Sequence, residues 1–121
     1  MLKGFIEQTK PLTDYEKTTL LPVMIQGLMG KQGKGKAVKN WIICKCLKKQ
    51  GYKISEARVR KIINYIRING MVLGLIATSE GYYIADSKAE IEDYIKSLKG
   101  REEAIRVVRE SLEKQEGVIY G

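Results

Sequence analysis

KISEARVRKIINYIRING, residues 53–70, reads as one helix with a start, a stop and two unlike faces. Ser55 stands where an N-cap belongs, its hydroxyl free to accept from the open amides of the first turn. Ile54 before it and Val59 inside it are spaced for a hydrophobic staple. Gly70 can take the left-handed conformation that ends a helix. Val59, Ile62, Ile63 and Ile66 recur at helical spacing and line one side. The other side carries Ala57, Lys61 and Asn64, flanked by Arg58, Arg60, Tyr65 and Arg67. A buried stripe backed by Arg, Lys, Asn and Tyr suits a helix that docks on a domain and offers itself to a DNA groove. A solvated basic surface helix is the commoner use of such a pattern, so its neighbours must decide.

The charge around this helix is focused. The chain has 121 residues and a net charge of +8. Residues 1–30 carry three basic and three acidic side chains, residues 31–70 carry twelve and one, and residues 71–121 carry seven and ten. All the excess positive charge thus falls within forty residues, a segregation that solubility does not require and a polyanion footprint does. One domain with a normal core is expected at this length. No apolar run approaches a membrane span, and MLKGFIEQTK lacks a signal-peptide core, so a cytoplasmic protein is expected. Cys44 and Cys46 are read as reduced, buried or semi-buried thiols. With no histidine and no second cysteine pair, neither a metal site nor a cofactor is expected.

In chain order, residues 1–12 read as a loose arm. Thr13 and Glu16 form a capping box that opens an apolar helix with Leu20, Leu21, Met24, Ile25 and Leu28, in which Pro22 predicts a kink or a break. Residues 30–36, GKQGKGK, match the text of a phosphate-binding loop, G-x-x-x-x-G-K. Ala37 stands where that loop needs a hydroxyl for magnesium, and a helix precedes it where a strand is needed. A lysine-bearing loop touching phosphates electrostatically is the reading adopted. Ala37 and Val38 suit a very short strand. Asn40 is placed to cap a helix reaching about Gln50, with Ile43, Cys44 and Leu47 inside and Lys45, Lys48 and Lys49 outside. Trp41 is expected to pack against the first helix, with an exposed Trp contacting a partner as the alternative. A tight turn at residues 51–53 leads to the capped basic helix, a helix-turn-helix arrangement.

Beyond Gly70 the pattern changes to residues 71–77, MVLGLIA, and 82–85, YYIA, around the turn at 78–81. These read as a β-hairpin, in the place of the wing of a winged helix. Glu80 at its tip argues against contact with phosphates, and one of Tyr82 and Tyr83 should pack inward. Ser87 and Glu90 form a second capping box. The helix they open carries Ile91, Tyr94, Ile95 and Leu98. Gly100 is a possible interruption, and Ile105, Val108 and Leu112 continue the apolar stripe to about residue 115. Leu98, Ile105 and Leu112 are seven apart, a hint of self-association. Residues 116–121 read as a tail. The fold class expected is therefore mainly α with a β-hairpin: a winged helix-turn-helix over 13–86, with an N-terminal helix and a C-terminal helical extension over 87–115.

The runs PLTDYEKTTLLPVM, GKGKAV, YKISEARVRKIINYIRING, LIATSEGYYIA and DYIKSLKGREEAIRVVRE together resemble small winged-helix proteins encoded by phages and prophages, notably of Bacteroides-type bacteria. The likeness spans residues 11–115. It implies a DNA-binding fold and a phage setting, with the host cytoplasm as compartment, and it supplies no established binding residues. That family often has a basic or neutral residue where Glu80 stands here.

The residues themselves suggest a non-enzymatic DNA-binding protein, a regulator or a replication or packaging accessory, with helix 55–69 in the major groove of double-stranded DNA. Arg58, Lys61, Asn64 and Tyr65 are the candidates for base edges. Lys34, Lys36, Lys39, Lys53, Ser55, Arg60 and Arg67 are the candidates for phosphates. A homodimer through Leu98, Ile105, Val108 and Leu112 is the second expected contact. The alternative is a protein-interaction module that binds a host protein. Catalysis is not expected, because the carboxylates are scattered and no activated nucleophile is in view.

Overall fold

A computed structural model describes residues 9–121 of the chain, which divides after Asp86 into a first unit and a second, Ser87–Gly121. The chain is mainly helical with one two-stranded antiparallel hairpin. Its first helical stretch starts from the Thr13 capping box. The Glu16 amide donates to Thr13 Oγ1 at 3.1 Å, and the Thr13 amide donates to Glu16 Oε1 at 2.8 Å. Of the kink or break expected at Pro22, the break does not occur. A wide π turn over Glu16–Leu20 runs directly into α1, Leu21–Met29, and Pro22 sits in the first turn of α1. The widened turn before it absorbs the missing N–H, so the helix continues. Of the expected arm, residues 1–8 lie outside the described residues. Its end is held: Leu12 is buried, and the carbonyls of Lys10 and Pro11 accept hydrogen bonds from Arg58.

After a 3₁₀ turn at Lys34–Lys36 come α2, Asn40–Lys49, and α3, Glu56–Ile68. Lys39 occupies the N-cap of α2, and Asn40, expected there, is its first residue. Ser55 caps α3 as its position predicts, accepting from the Arg58 amide at 3.2 Å. Both helices end on a glycine in the left-handed region, Gly51 at φ 93° and Gly70 at φ 61°. In each case the next residue's amide reaches back five residues, Tyr52 to the Leu47 carbonyl and Met71 to the Ile66 carbonyl, both at 3.0 Å. This double stop makes the α2–α3 connection short and fixes where α3 begins and ends.

α3 is the centre of the core. Val59, Ile62, Ile63 and Ile66 are at most 1% exposed, and they cluster with Leu20, Leu21, Met24, Leu28, Cys44, Leu47, Val72 and Leu75. Burying each such side chain contributes about 1.5–3 kcal/mol. Cys44 is buried, whereas Cys46 is exposed, two positions on and around the helix. The hairpin pairs β1, Leu75–Thr78, with β2, Gly81–Ile84, in the register Leu75↔Ile84 to Thr78↔Gly81. β1 is shorter than the apolar run 71–77 suggested, because Gly74 turns the chain first, at φ 74°. The loop before α2 covers the outer edge of β2. Val38 exchanges both backbone hydrogen bonds with Tyr82, at 3.1 and 2.8 Å, and Ile84 bonds to Gly33 and Lys31. Tyr82 leans on the helical core. Tyr83 is the more deeply buried of the two, on the other face with its cross-strand partner Ile76.

The second unit is a single helix, α4, Lys88–Tyr120. Ser87 caps it, accepting from the Glu90 amide at 3.2 Å. Gly100 does not interrupt it, and the residues expected as a tail after 115 are helical through Tyr120. Beyond the glycine, Arg106 pairs with Glu103 and Glu110, and Arg109 with Glu113, all one turn apart, which supports the helix there.

Among the described residues of the first unit, one ion pair is nearly buried. Arg58 Nε and a terminal nitrogen reach the two carboxylate oxygens of Glu16 at 2.8 and 2.6 Å, with side-chain exposures of 12% and 7%. The Arg58 hydrogen bonds hold the Glu16 carboxyl below the usual carboxylate range, against the opposing effect of burial. The stabilisation is therefore complete above the ordinary glutamate pKa and is lost as pH falls through the depressed one. Glu16→Gln should lower unfolding stability at pH 7 by about 2–3 kcal/mol. Urea midpoints measured between pH 7 and pH 3 should fall less steeply with acid in the variant than in the parent.

Candidate nucleic-acid interface

With one side of α3 in the core, the opposite side is open. Arg60 and Asn64 are exposed, and Lys61 and Ala57 are half-buried beside them. Lys61 and Asn64 are thus brought together on the outer surface. Tyr65 is half-buried and packs partly on the core. Arg58 lies elsewhere than expected. Its guanidinium turns inward to Glu16 and to the carbonyls of Lys10 and Pro11, so it has no reach to a base edge. The reason is geometric: Arg58 sits one turn ahead of Ile62 at the side of α3 that faces the start of the first helical stretch, where a buried carboxylate waits.

A polar relay fixes the N-terminal ends of α2 and α3 and the hairpin relative to one another. The Tyr82 hydroxyl donates to Asn40 Oδ1 at 3.0 Å, and Asn40 Nδ2 donates to the Glu56 carbonyl at 2.8 Å. Burial raises the Tyr82 hydroxyl above its ordinary pKa, while the positive charges of Arg60 and Arg67 pull it back. Those two arginines therefore lie on the hairpin side of α3, close to the relay. Lys53 is exposed in the turn ahead of α3, and its amide donates to the Tyr15 hydroxyl oxygen at 3.2 Å. Ser55 has its oxygen engaged as the cap. Lys39 is exposed at the start of α2.

The glycine loop places Lys34 and Lys36 in its 3₁₀ turn, both exposed. Lys34 reaches across to the hairpin tip, Nζ to Glu80 Oε1 at 3.4 Å. Both groups are at least half exposed, so the pair contributes little to stability. It does neutralise the acid at the tip. Arg60, Lys61, Lys36, Lys39 and Lys53 have no carboxylate partner among the described residues.

One surface was missed by sequence reasoning. Trp41, expected against the first helix, is 51% exposed. It lines a shallow depression with Lys45, Lys48, Lys49, Cys44 and Glu56. The signal was present as spacing, since Trp41, Lys45 and Lys48 follow i, i+4, i+7 on the outer face of α2. An aromatic face ringed by lysines is suited to stacking or to contact with a polyanion.

Among the described residues no three His, Cys, Asp or Glu side chains stand together as a metal site would require, and no helix is long and apolar enough to cross a membrane. Tyr82→Phe removes one donor and leaves Asn40 Oδ1 without its partner, which should cost about 1 kcal/mol. A urea midpoint lowered by that amount, with unchanged helical circular dichroism, is the expected result. Compared with protein-family models, with curated proteins and with solved structures, the chain has no match among them.

Proposed function

We propose that this chain is a winged-helix DNA-binding protein without catalytic activity, which sets the outer face of α3 into the major groove of double-stranded DNA. The observation that carries the proposal is the division of charge on α3. The Arg58 guanidinium is consumed by Glu16, while Arg60 and Lys61, beside Asn64 on the open face, have no carboxylate partner among the described residues. Asn64 suits paired hydrogen bonds to adenine and Lys61 a guanine edge. Arg60, Arg67, Lys53, Lys39 and Lys36 suit phosphates. Lys45 and Lys48 around Trp41 extend the same footprint along the backbone. Lys34 holds the acidic wing tip, so the wing frames the helix and is a minor contact. A phage regulator or a replication or packaging accessory acting in a bacterial cytoplasm is the setting that the sequence resemblance suggests.

A second contact is self-association through the apolar stripe of α4, Leu98, Ile105, Val108 and Leu112, all exposed. The same exposure favours the alternative reading, a module that binds a host protein.

Duplex binding followed by fluorescence anisotropy from 50 to 300 mM salt tests the proposal. Affinity should fall steeply with salt, because each phosphate contact releases counterions. Lys61→Ala/Asn64→Ala should weaken binding at least about tenfold, from one to three kcal/mol per lost base contact. Arg60→Ala/Lys53→Ala should weaken it and also flatten the salt slope by roughly one to two units. Absence of binding at the lowest salt would overturn the proposal and leave the host-protein reading.

A further inference from the structure

The unbroken length of α4 changes the meaning of its sequence. Ile91, Leu98, Ile105, Leu112 and Ile119 recur every seven residues, so a three-residue hint becomes an aliphatic position repeated over the whole helix. The alternate seam positions hold Tyr94, Arg101, Val108 and Gln115. Ile105, Val108, Leu112 and Ile119 are 57–69% exposed. Along them runs an open groove lined by Ala104, Ile105, Val108 and Leu112, edged by Arg109 and Glu116. The intrahelical pairs of Arg106 with Glu103 and Glu110 lie off this seam. α4 carries seven basic and eight acidic residues, a net charge of −1, so two copies meet with little net repulsion.

We propose that α4 pairs with α4 of a second copy and that the two helices run antiparallel. This rests on the self-association reading above and specifies its geometry. A parallel pair would set Arg101 against Arg101 of the second copy in the seam. Its flanking contacts would set Arg109 against Ala104, Glu102 against Ser97 and Glu116 against Ser111, so no opposite charges would meet. The antiparallel register that places Ile105 on Val108 of the second copy also places Leu112 on Arg101, Leu98 on Gln115 and Ile119 on Tyr94. Arg101 then lays its aliphatic stem along a leucine and carries its head to water. The flanks now match: Glu102 meets Arg109 of the second copy twice by symmetry, and Ala104 meets Ser111 twice. Those small residues let the backbones approach closely. Polar residues at single seam positions are the usual device that selects one register and orientation over another.

Sedimentation combined with a spin-label distance on the full chain tests this. Tyr120→Cys in a Cys46→Ser background carries one nitroxide, since Cys44 is buried. In the antiparallel register, residue 120 lies beside Asp93 of the second copy. The label pair is then about 40 Å apart along the axis, at 1.5 Å per residue. Sedimentation as a dimer with that long distance is the expected result, and Ile105→Glu should raise the dimer dissociation constant at least about tenfold. A dimer whose labels lie on the order of 15 Å apart, as a parallel pair spaced at the usual interhelical distance requires, would overturn the orientation and keep self-association. A monomer at every concentration up to the millimolar range would overturn both. Neither readout depends on whether the protein binds DNA.

Discussion

Much of the first unit hangs on what the Glu16 carboxylate holds. It closes the capping box with Thr13, and it takes the Arg58 guanidinium across the core from α3. A glutamate is common as the third residue of a capping box; a nearly buried one requires a cation to offset its desolvation. Arg58 meets that requirement and also gathers the Lys10 and Pro11 carbonyls, so the residues leading into the first helix are held against α3. One pair thereby joins the start of the chain's fold to its central helix. It also removes from the surface a charge that lies at the edge of the open face.

That removal defines the candidate site. With Arg58 turned inward, the open face of α3 holds Ala57, Arg60, Lys61, Asn64 and the exposed Ile68, bounded by Arg67 toward the hairpin. The Tyr82–Asn40–Glu56 relay holds the N-terminal ends of α2 and α3 together with β2. Two helix N-termini and a set of unneutralised cations are thus mounted on one rigid frame, which is the pre-organisation that recognition of a polyanion rewards. The opposite balance holds on α4, where acids and bases cancel one another along the helix and the apolar seam is what remains open.

The caps and the core stripe were legible because they depend on neighbours in sequence. Ser55, Gly70, the Thr13–Glu16 box and Val59, Ile62, Ile63 and Ile66 all stand as their spacing implies. Contacts distant in sequence were not legible. Nothing local marks Arg58 among its basic neighbours as the partner of a carboxylate forty-two residues away. Asn40 fits an N-cap by type, yet its side chain serves Tyr82 and the Glu56 carbonyl. Trp41 at the start of α2 fits either the core or a partner surface by type, and its helical position puts it outward among lysines. Pro22 and Gly100 are residue types that kink or interrupt helices, yet a π turn runs directly into the helix that holds Pro22, and α4 is continuous through Gly100. In the hairpin, the two-residue period separated Tyr82 from Tyr83 but did not say which would be buried more.

If the open face of α3 is the surface that meets nucleic acid, amide and side-chain chemical-shift changes in the ¹⁵N-labelled protein, titrated with duplex DNA, will show it residue by residue. The largest changes are expected at Arg60, Lys61, Asn64 and the Trp41 indole, with the Arg58 Nε signal unmoved in its pair with Glu16. Changes confined to α4, or none on α3 at saturating DNA, would contradict it.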